Sequence, residues 1–188
     1  SVQDQDPDIV MGGGYTEDAL GLTQAAESVG LSPGIFAWVV GGMAPAFAES
    51  VGDAAIGITG DLFWAPFFEL PYNQEFLDGF MELFSEEYDD PSEMDYHSAG
   101  GFAGCMVLEQ AVRNVGELDQ DAIAEELHTL EMEIPFANGQ YAVNEQGIQT
   151  AQTPSLGQWQ EGEDGPTQEA VRPAEYATAD PIYPHPGW

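Results

Sequence analysis

Residues 7–20, Pro-Asp-Ile-Val-Met-Gly-Gly-Gly-Tyr-Thr-Glu-Asp-Ala-Leu, read as the end of a strand running into the start of a helix. Asp8 to Met11 is a short apolar run that stops at Gly12-Gly13-Gly14. Thr16 then offers an N-cap, and Glu17 and Asp18 put negative charge into the first turn. The helix runs to Val29, and Gly30 closes it. The pattern repeats downstream: Ile35 to Val40 reads as a buried strand, Gly41-Gly42 turns, Met43 to Val51 is a short helix, and Ala55 to Leu62 is a third strand. Strands separated by helices in this order predict an α/β fold, a Rossmann-like parallel sheet with right-handed crossovers. Ligands of such sheets sit beyond the carboxyl ends of the strands, which directs attention to the Gly12-Gly13-Gly14-Tyr15 and Gly41-Gly42-Met43 turns.

Beyond Leu62 the periodicity changes. Residues 64–73 carry two prolines and form a connector, and Asn73 caps a helix in which Phe76, Phe80, Phe84 and Tyr88 recur every four residues as a core stripe. An acidic break at 89–93 leads to a long helix from His97 to Val115 and a shorter one from Asp119 to Leu130. Tyr141 to Val143 and Thr150 to Gln160 read as antiparallel strands around a turn at 144–147. A polar loop over 161–170 and a proline-rich tail from Pro173, extended over the surface, complete the chain.

The formal net charge is -32 on 188 residues, there is no lysine, and the only cations are Arg113 and Arg172. A hydrophobic fraction of 43% is nevertheless enough to bury a core. The carboxylates are spread from Asp4 to Asp180, which predicts an acidic surface adapted to high salt. At about 1 M salt the screening length falls to roughly 3 Å and most of the self-repulsion disappears. Nucleic acid is excluded as a partner, because phosphate binding needs cations this chain lacks. Cys105, the single cysteine, lies in the apolar run 102–108 and reads as a buried structural thiol.

Catalysis fails on residue types. His97, His128 and His185 show no metal-ligand spacing, and Cys105 has no base near it in sequence. The glycine run is not a dinucleotide fingerprint, because Glu17 falls where its last glycine belongs. The stretch Asp4-Gln-Asp6-Pro-Asp8 lacks the glycine and distal glutamate of a calcium loop. No enzyme activity, cofactor or metal is expected. The remaining candidates are ligand contacts: Tyr15 after the first glycine turn, with the adjoining Gly14 and Thr16, Gly41 at the second turn, and Trp64 at the end of the third strand. Trp38, within the second strand, reads as core.

The opening segment, together with Gly52-Asp-Ala-Ala-Ile-Gly57, the helix at 102–115, Gln158-Trp159 and Ala177-Thr-Ala-Asp-Pro-Ile-Tyr-Pro184, resembles a known family. It is the leucine/isoleucine/valine-binding family of ABC-transporter substrate-binding proteins, of the type I periplasmic-binding fold. The resemblance implies two lobes closing on a small polar metabolite, an amino acid or a short organic or aromatic acid, for delivery to an ABC permease. It assigns 1–72 to most of the second lobe, 73–148 to elements returning to the first, and 149–188 to a return to the second and the tail. A missing N-terminal lobe then becomes a partner, and an extracellular, cell-surface location with a lipid anchor at that lobe is implied. On this alignment Tyr15 falls where the family sets an aromatic against its ligand. The acid that meets the ligand ammonium falls on Val40, and no acid occurs between Trp38 and Ala48, so a ligand without an ammonium gains weight; Glu17, Asp18 or Asp61 are the nearby substitutes. A structural or sensory extracellular module on the same fold is the rival reading.

Overall fold

The computed structural model describes residues 2–188. They form two compact units, one of residues 2–62 and 155–188, the other of residues 63–154.

The first unit is built on a five-stranded sheet. Strands β1 (Ile9–Gly14), β2 (Ile35–Val40) and β3 (Ile58–Leu62) run parallel, and β6 (Ser155–Gly162) and β7 (Gly165–Arg172) continue the sheet antiparallel in the order β1-β2-β3-β6-β7. The three expected parallel strands are present, with α1 (Thr16–Ser28) and α2 (Pro45–Val51) as their crossovers. Helices and sheet bury one apolar cluster: Ala19 and Ala26 of α1, Phe36 and Trp38 of β2, Phe47 of α2, Ile58 of β3 and Trp159 of β6. Two buried indoles are fully used, Trp38 Nε1 donating to Thr23 Oγ1 at 2.8 Å and Trp159 Nε1 to the Gly42 carbonyl at 2.7 Å. Ile9, Met11 and Val39, on the opposite face, are exposed.

Three expectations are corrected here. Gly12-Gly13-Gly14 is not a turn but the second half of β1, paired with Trp38 to Val40. A Cβ on Gly12 would come within 2.8 Å of the Trp38 ring, so the glycine makes room for the indole and leaves the strand intact. The polar stretch 161–170 is not a loop: it turns between β6 and β7 and contributes most of β7, with Ala170 and Val171 fully buried. The tail has no regular element, yet it is not merely a surface strap, because His185 is buried against Phe36 and Trp188.

The second unit contains α3 (Asn73–Leu83), α4 (Tyr96–Val115), α5 (Gln120–Thr129) and a small antiparallel pair, β4 (Met132–Glu133) with β5 (Gln140–Tyr141). Helix α4 buries Ala99, Ala103, Val107 and Ala111 at four-residue spacing. Cys105 lies two residues out of phase with that stripe, so it faces solvent, contrary to its reading as a buried thiol. Phe76 of α3 is buried, but α3 ends before Phe84, which is half exposed.

Candidate functional site

Tyr15 is the residue that joins β1 to α1, and its side chain is 75% exposed. Its backbone is held on three sides. The Tyr15 carbonyl accepts the N–H groups of Asp18 and Ala19, each at 3.0 Å, and Asp18 Oδ2 accepts the Tyr15 N–H at 3.0 Å. That reciprocal arrangement caps α1, so Tyr15, not Thr16, is the N-cap; Thr16 is the first helical residue, and its N–H and that of Glu17 have no acceptor within the helix. On the third side lies Gly41. A Cβ there would stand 2.2 Å from the Tyr15 carbonyl carbon, so only glycine allows the two backbones to meet. Gly14 is similarly constrained, its Cβ position lying 2.6 Å from Asp18 Cβ.

Val40, immediately before Gly41, has φ 76 and ψ -73, an outlying conformation for a β-branched residue that costs on the order of 1–3 kcal/mol. Asp61, near the end of β3, supplies the compensation: its Oδ1 accepts the Val40 N–H at 2.7 Å. Here β2 turns away from β3, and a side-chain carboxylate replaces the backbone carbonyl that would have continued the ladder. Tyr15, Gly14, Thr16, Gly41, Val40 and Asp61 thus share one edge of the first unit, at the carboxyl ends of the parallel strands. The sequence offered Asp61 only as a substitute acid for a ligand; the strained backbone of Val40 and its hydrogen bond to Asp61 were not legible there.

Trp64 belongs elsewhere, and its reading as a wall of the ligand site is corrected. It is 2% exposed and lies in the core of the second unit, edge-on to Phe76 at 5.5 Å. Its Nε1 donates to Asn73 Oδ1 at 2.7 Å, while Asn73 Nδ2 donates to the carbonyls of Pro66 and Phe68. The buried amide thus pins the proline-containing connector instead of capping α3.

Among the described residues no group of three or more His, Cys, Asp and Glu is disposed to hold a metal ion. A hollow of about 580 Å³ in the first unit, lined by Glu27, Asp53, Glu161 and Trp188 among others, lies at the opposite ends of the strands from Tyr15.

Residues 1–165 match the periplasmic binding protein family. No curated protein matches the sequence. The fold is similar to that of the leucine-binding protein LivK of Thermotoga maritima (22% identity, TM-score 0.71, 90% of this chain and 45% of that one). It is also similar to a solute-binding protein of an ABC transporter from Rhodopseudomonas palustris in complex with 3,4-dihydroxybenzoic acid (17%, 0.66, 90% and 46%). A third similar structure is the branched-chain amino acid binding protein LivJ of Streptococcus pneumoniae in complex with isoleucine (14%, 0.62, 88% and 45%). The chain therefore spans about half the length of the solved structures it matches. Its α/β architecture, parallel strands extended by an antiparallel pair and flanked by helices, is the type I periplasmic-binding fold. With the family model covering most of its length, the chain belongs to the periplasmic binding protein family.

Proposed function

We propose that this chain is the C-terminal part of an extracellular solute-binding component of an ABC importer, and that the edge bearing Tyr15 receives the solute. The observation that carries the reading is the contrast at that edge: a rigidly capped backbone presents a phenol ring that is itself three-quarters exposed. A large aromatic held out of the core at the carboxyl edge of a parallel sheet offers apolar contact and one directed hydrogen bond. Gly14 and Gly41 serve by letting backbone and cap approach, and the free amides at Thr16 and Glu17 are the available donors.

The solute is a small polar metabolite, either an amino acid, as isoleucine is for the pneumococcal protein, or an aromatic acid, as in the Rhodopseudomonas complex. The first unit corresponds to most of the second lobe and the second unit to elements that return to a first lobe. That first lobe is the missing partner, and the exposed Ile9, Met11 and Val39 fit a protein in which more polypeptide covers this sheet. The permease is the second macromolecular partner, and a cell-surface position held by a lipid anchor follows from the same reading.

Thermal unfolding of the full-length protein against a library of amino acids and short aliphatic and aromatic acids tests the proposal. A true ligand at about 100 times its Kd stabilises by about 2.7 kcal/mol, a clear rise in Tm. If every compound leaves Tm unchanged, solute capture from these classes is wrong, and the structural or sensory reading takes its place.

A further inference from the structure

Residues 182–188 carry no helix or strand, yet they are seated across the amino-terminal ends of β2 and β3. Gln158 of β6 fixes the start of the segment. Its Oε1 accepts the Ile182 N–H at 2.7 Å, and its Nε2 donates to the Ile182 carbonyl at 3.0 Å. Beyond that clamp the His185 N–H donates to the Gly34 carbonyl at 2.9 Å, and Trp188 Nε1 donates to the Leu31 carbonyl at 2.7 Å. Gly57, with φ 89, makes room for the segment: a Cβ there would stand 2.6 Å from Pro186 Cδ and 3.0 Å from His185 Cδ2.

The imidazole of His185 lies at the centre of these contacts, 5% exposed. It is edge-on to Phe36 with ring centroids 4.9 Å apart, and 5.0 Å from the Trp188 ring. Its Nδ1 accepts the Gly187 N–H at 3.2 Å, so the neutral ring carries its hydrogen on Nε2, and Nε2 has no partner. A proton added at Nδ1 would set donor against donor at Gly187 and bury a charge with no counter-charge. The surroundings supply none. Strand β2 and residues 29–34 carry no titratable side chain, and Asp8, Glu27, Asp53, Glu161, Tyr183 and the terminal carboxylate make no bond with the ring. Burial accordingly holds its pKa below the ordinary 6.5. Outside the seat the balance reverses, because water and the carboxylates of Glu27, Asp53 and Glu161 surround the hollow that Pro186 and Trp188 border.

We propose that residues 183–188 are an acid-released strap: protonation of His185 expels its ring from against Phe36, and the strap swings free on the clamp between Gln158 and Ile182 while the sheet stays folded. Release uncovers Phe36, which is otherwise fully buried, and widens the hollow at the ends of the strands away from Tyr15. The strap is distinct from the solute edge, so the inference stands or falls independently of what the protein binds.

Hydrogen–deuterium exchange of the full-length protein in molar salt, read by mass spectrometry from about pH 7.5 to about pH 5.5 and corrected for the intrinsic pH dependence of exchange, tests it. Protection of the C-terminal peptide, which reports the bonded amides of His185 and Gly187, should fall by up to about tenfold for each pH unit below 6.5, the limit for one proton. Peptides from β2 and β3 should keep their protection. His185→Phe, which cannot charge and keeps an aromatic ring against Phe36, should hold the C-terminal protection flat. His185→Gln, equally unable to charge, gives the same reading if the first variant folds poorly. Constant protection of the C-terminal peptide in the unmodified protein overturns the inference. A loss shared equally by β2 and β3 is global unfolding and overturns it too, as does an unchanged pH dependence in the uncharged variants.

Discussion

Tyr15 and Trp64 both follow a strand in sequence, but their surroundings differ completely. Tyr15 has an immobilised backbone and a free ring, whereas Trp64 has a buried ring whose N–H is spent on Asn73. Substitution should separate them. Tyr15→Ala should weaken ligand binding by about tenfold or more while changing unfolding free energy by no more than about 0.5 kcal/mol. Trp64→Phe should do the reverse: Asn73 Oδ1 is left buried without its donor, costing about 1–3 kcal/mol in a denaturant titration, with ligand affinity unchanged. A loss of affinity in Trp64→Phe at unchanged stability would restore Trp64 to the ligand site.

At the scale of elements, the C-terminal segment after β7 behaves as part of the core without being helix or strand. Gln158 Oε1 accepts the Ile182 N–H at 2.7 Å, His185 N–H donates to the Gly34 carbonyl at 2.9 Å, and Trp188 Nε1 donates to the Leu31 carbonyl at 2.7 Å. The His185 ring is buried, its Nδ1 accepts the Gly187 N–H, and its Nε2 has no partner. Burial pushes its pKa below the ordinary 6.5, so the folded protein holds fewer protons on this group than the unfolded chain. Its contribution is therefore fully present above pH 6.5 and is lost as pH falls below it, where protonation also removes the acceptor used by Gly187. Stability measured against pH should show the unmodified protein losing ground relative to His185→Phe below pH 6.5. Parallel curves for the two proteins would mean that His185 does not titrate on unfolding.

For the whole molecule the governing quantity is charge. A net charge of -32 with two arginines leaves almost nothing to neutralise the carboxylates, and no Asp or Glu is buried among the described residues. Arg113 pairs with Glu109 on the exposed face of α4, where such a bond contributes little. Raising salt from about 0.1 M to about 1 M shortens the screening length from about 10 Å to about 3 Å, so Tm should climb with salt across that range. A Tm that stays flat or falls would remove salt adaptation as the reason for this composition.

Local pattern determined a good deal by itself. Apolar runs ended by glycine and separated by helical spacing were sufficient for the three parallel strands, their two crossover helices and the class of fold, because period and chain punctuation are properties of neighbouring residues. The position of Tyr15 after a parallel strand was legible for the same reason. Tertiary structure alone decided which groups are spent and which are free. Gly12 to Gly14 look like a turn until they are seen paired with β2, with the Trp38 ring filling the space beside Gly12, and Trp64 looks like a cleft residue until its N–H is found bound to Asn73. The strained turn at Val40 is held by Asp61, 21 residues away, which reaches across from β3 to accept its N–H. Contacts between distant residues depend on three-dimensional approach, and no local pattern encodes that distance.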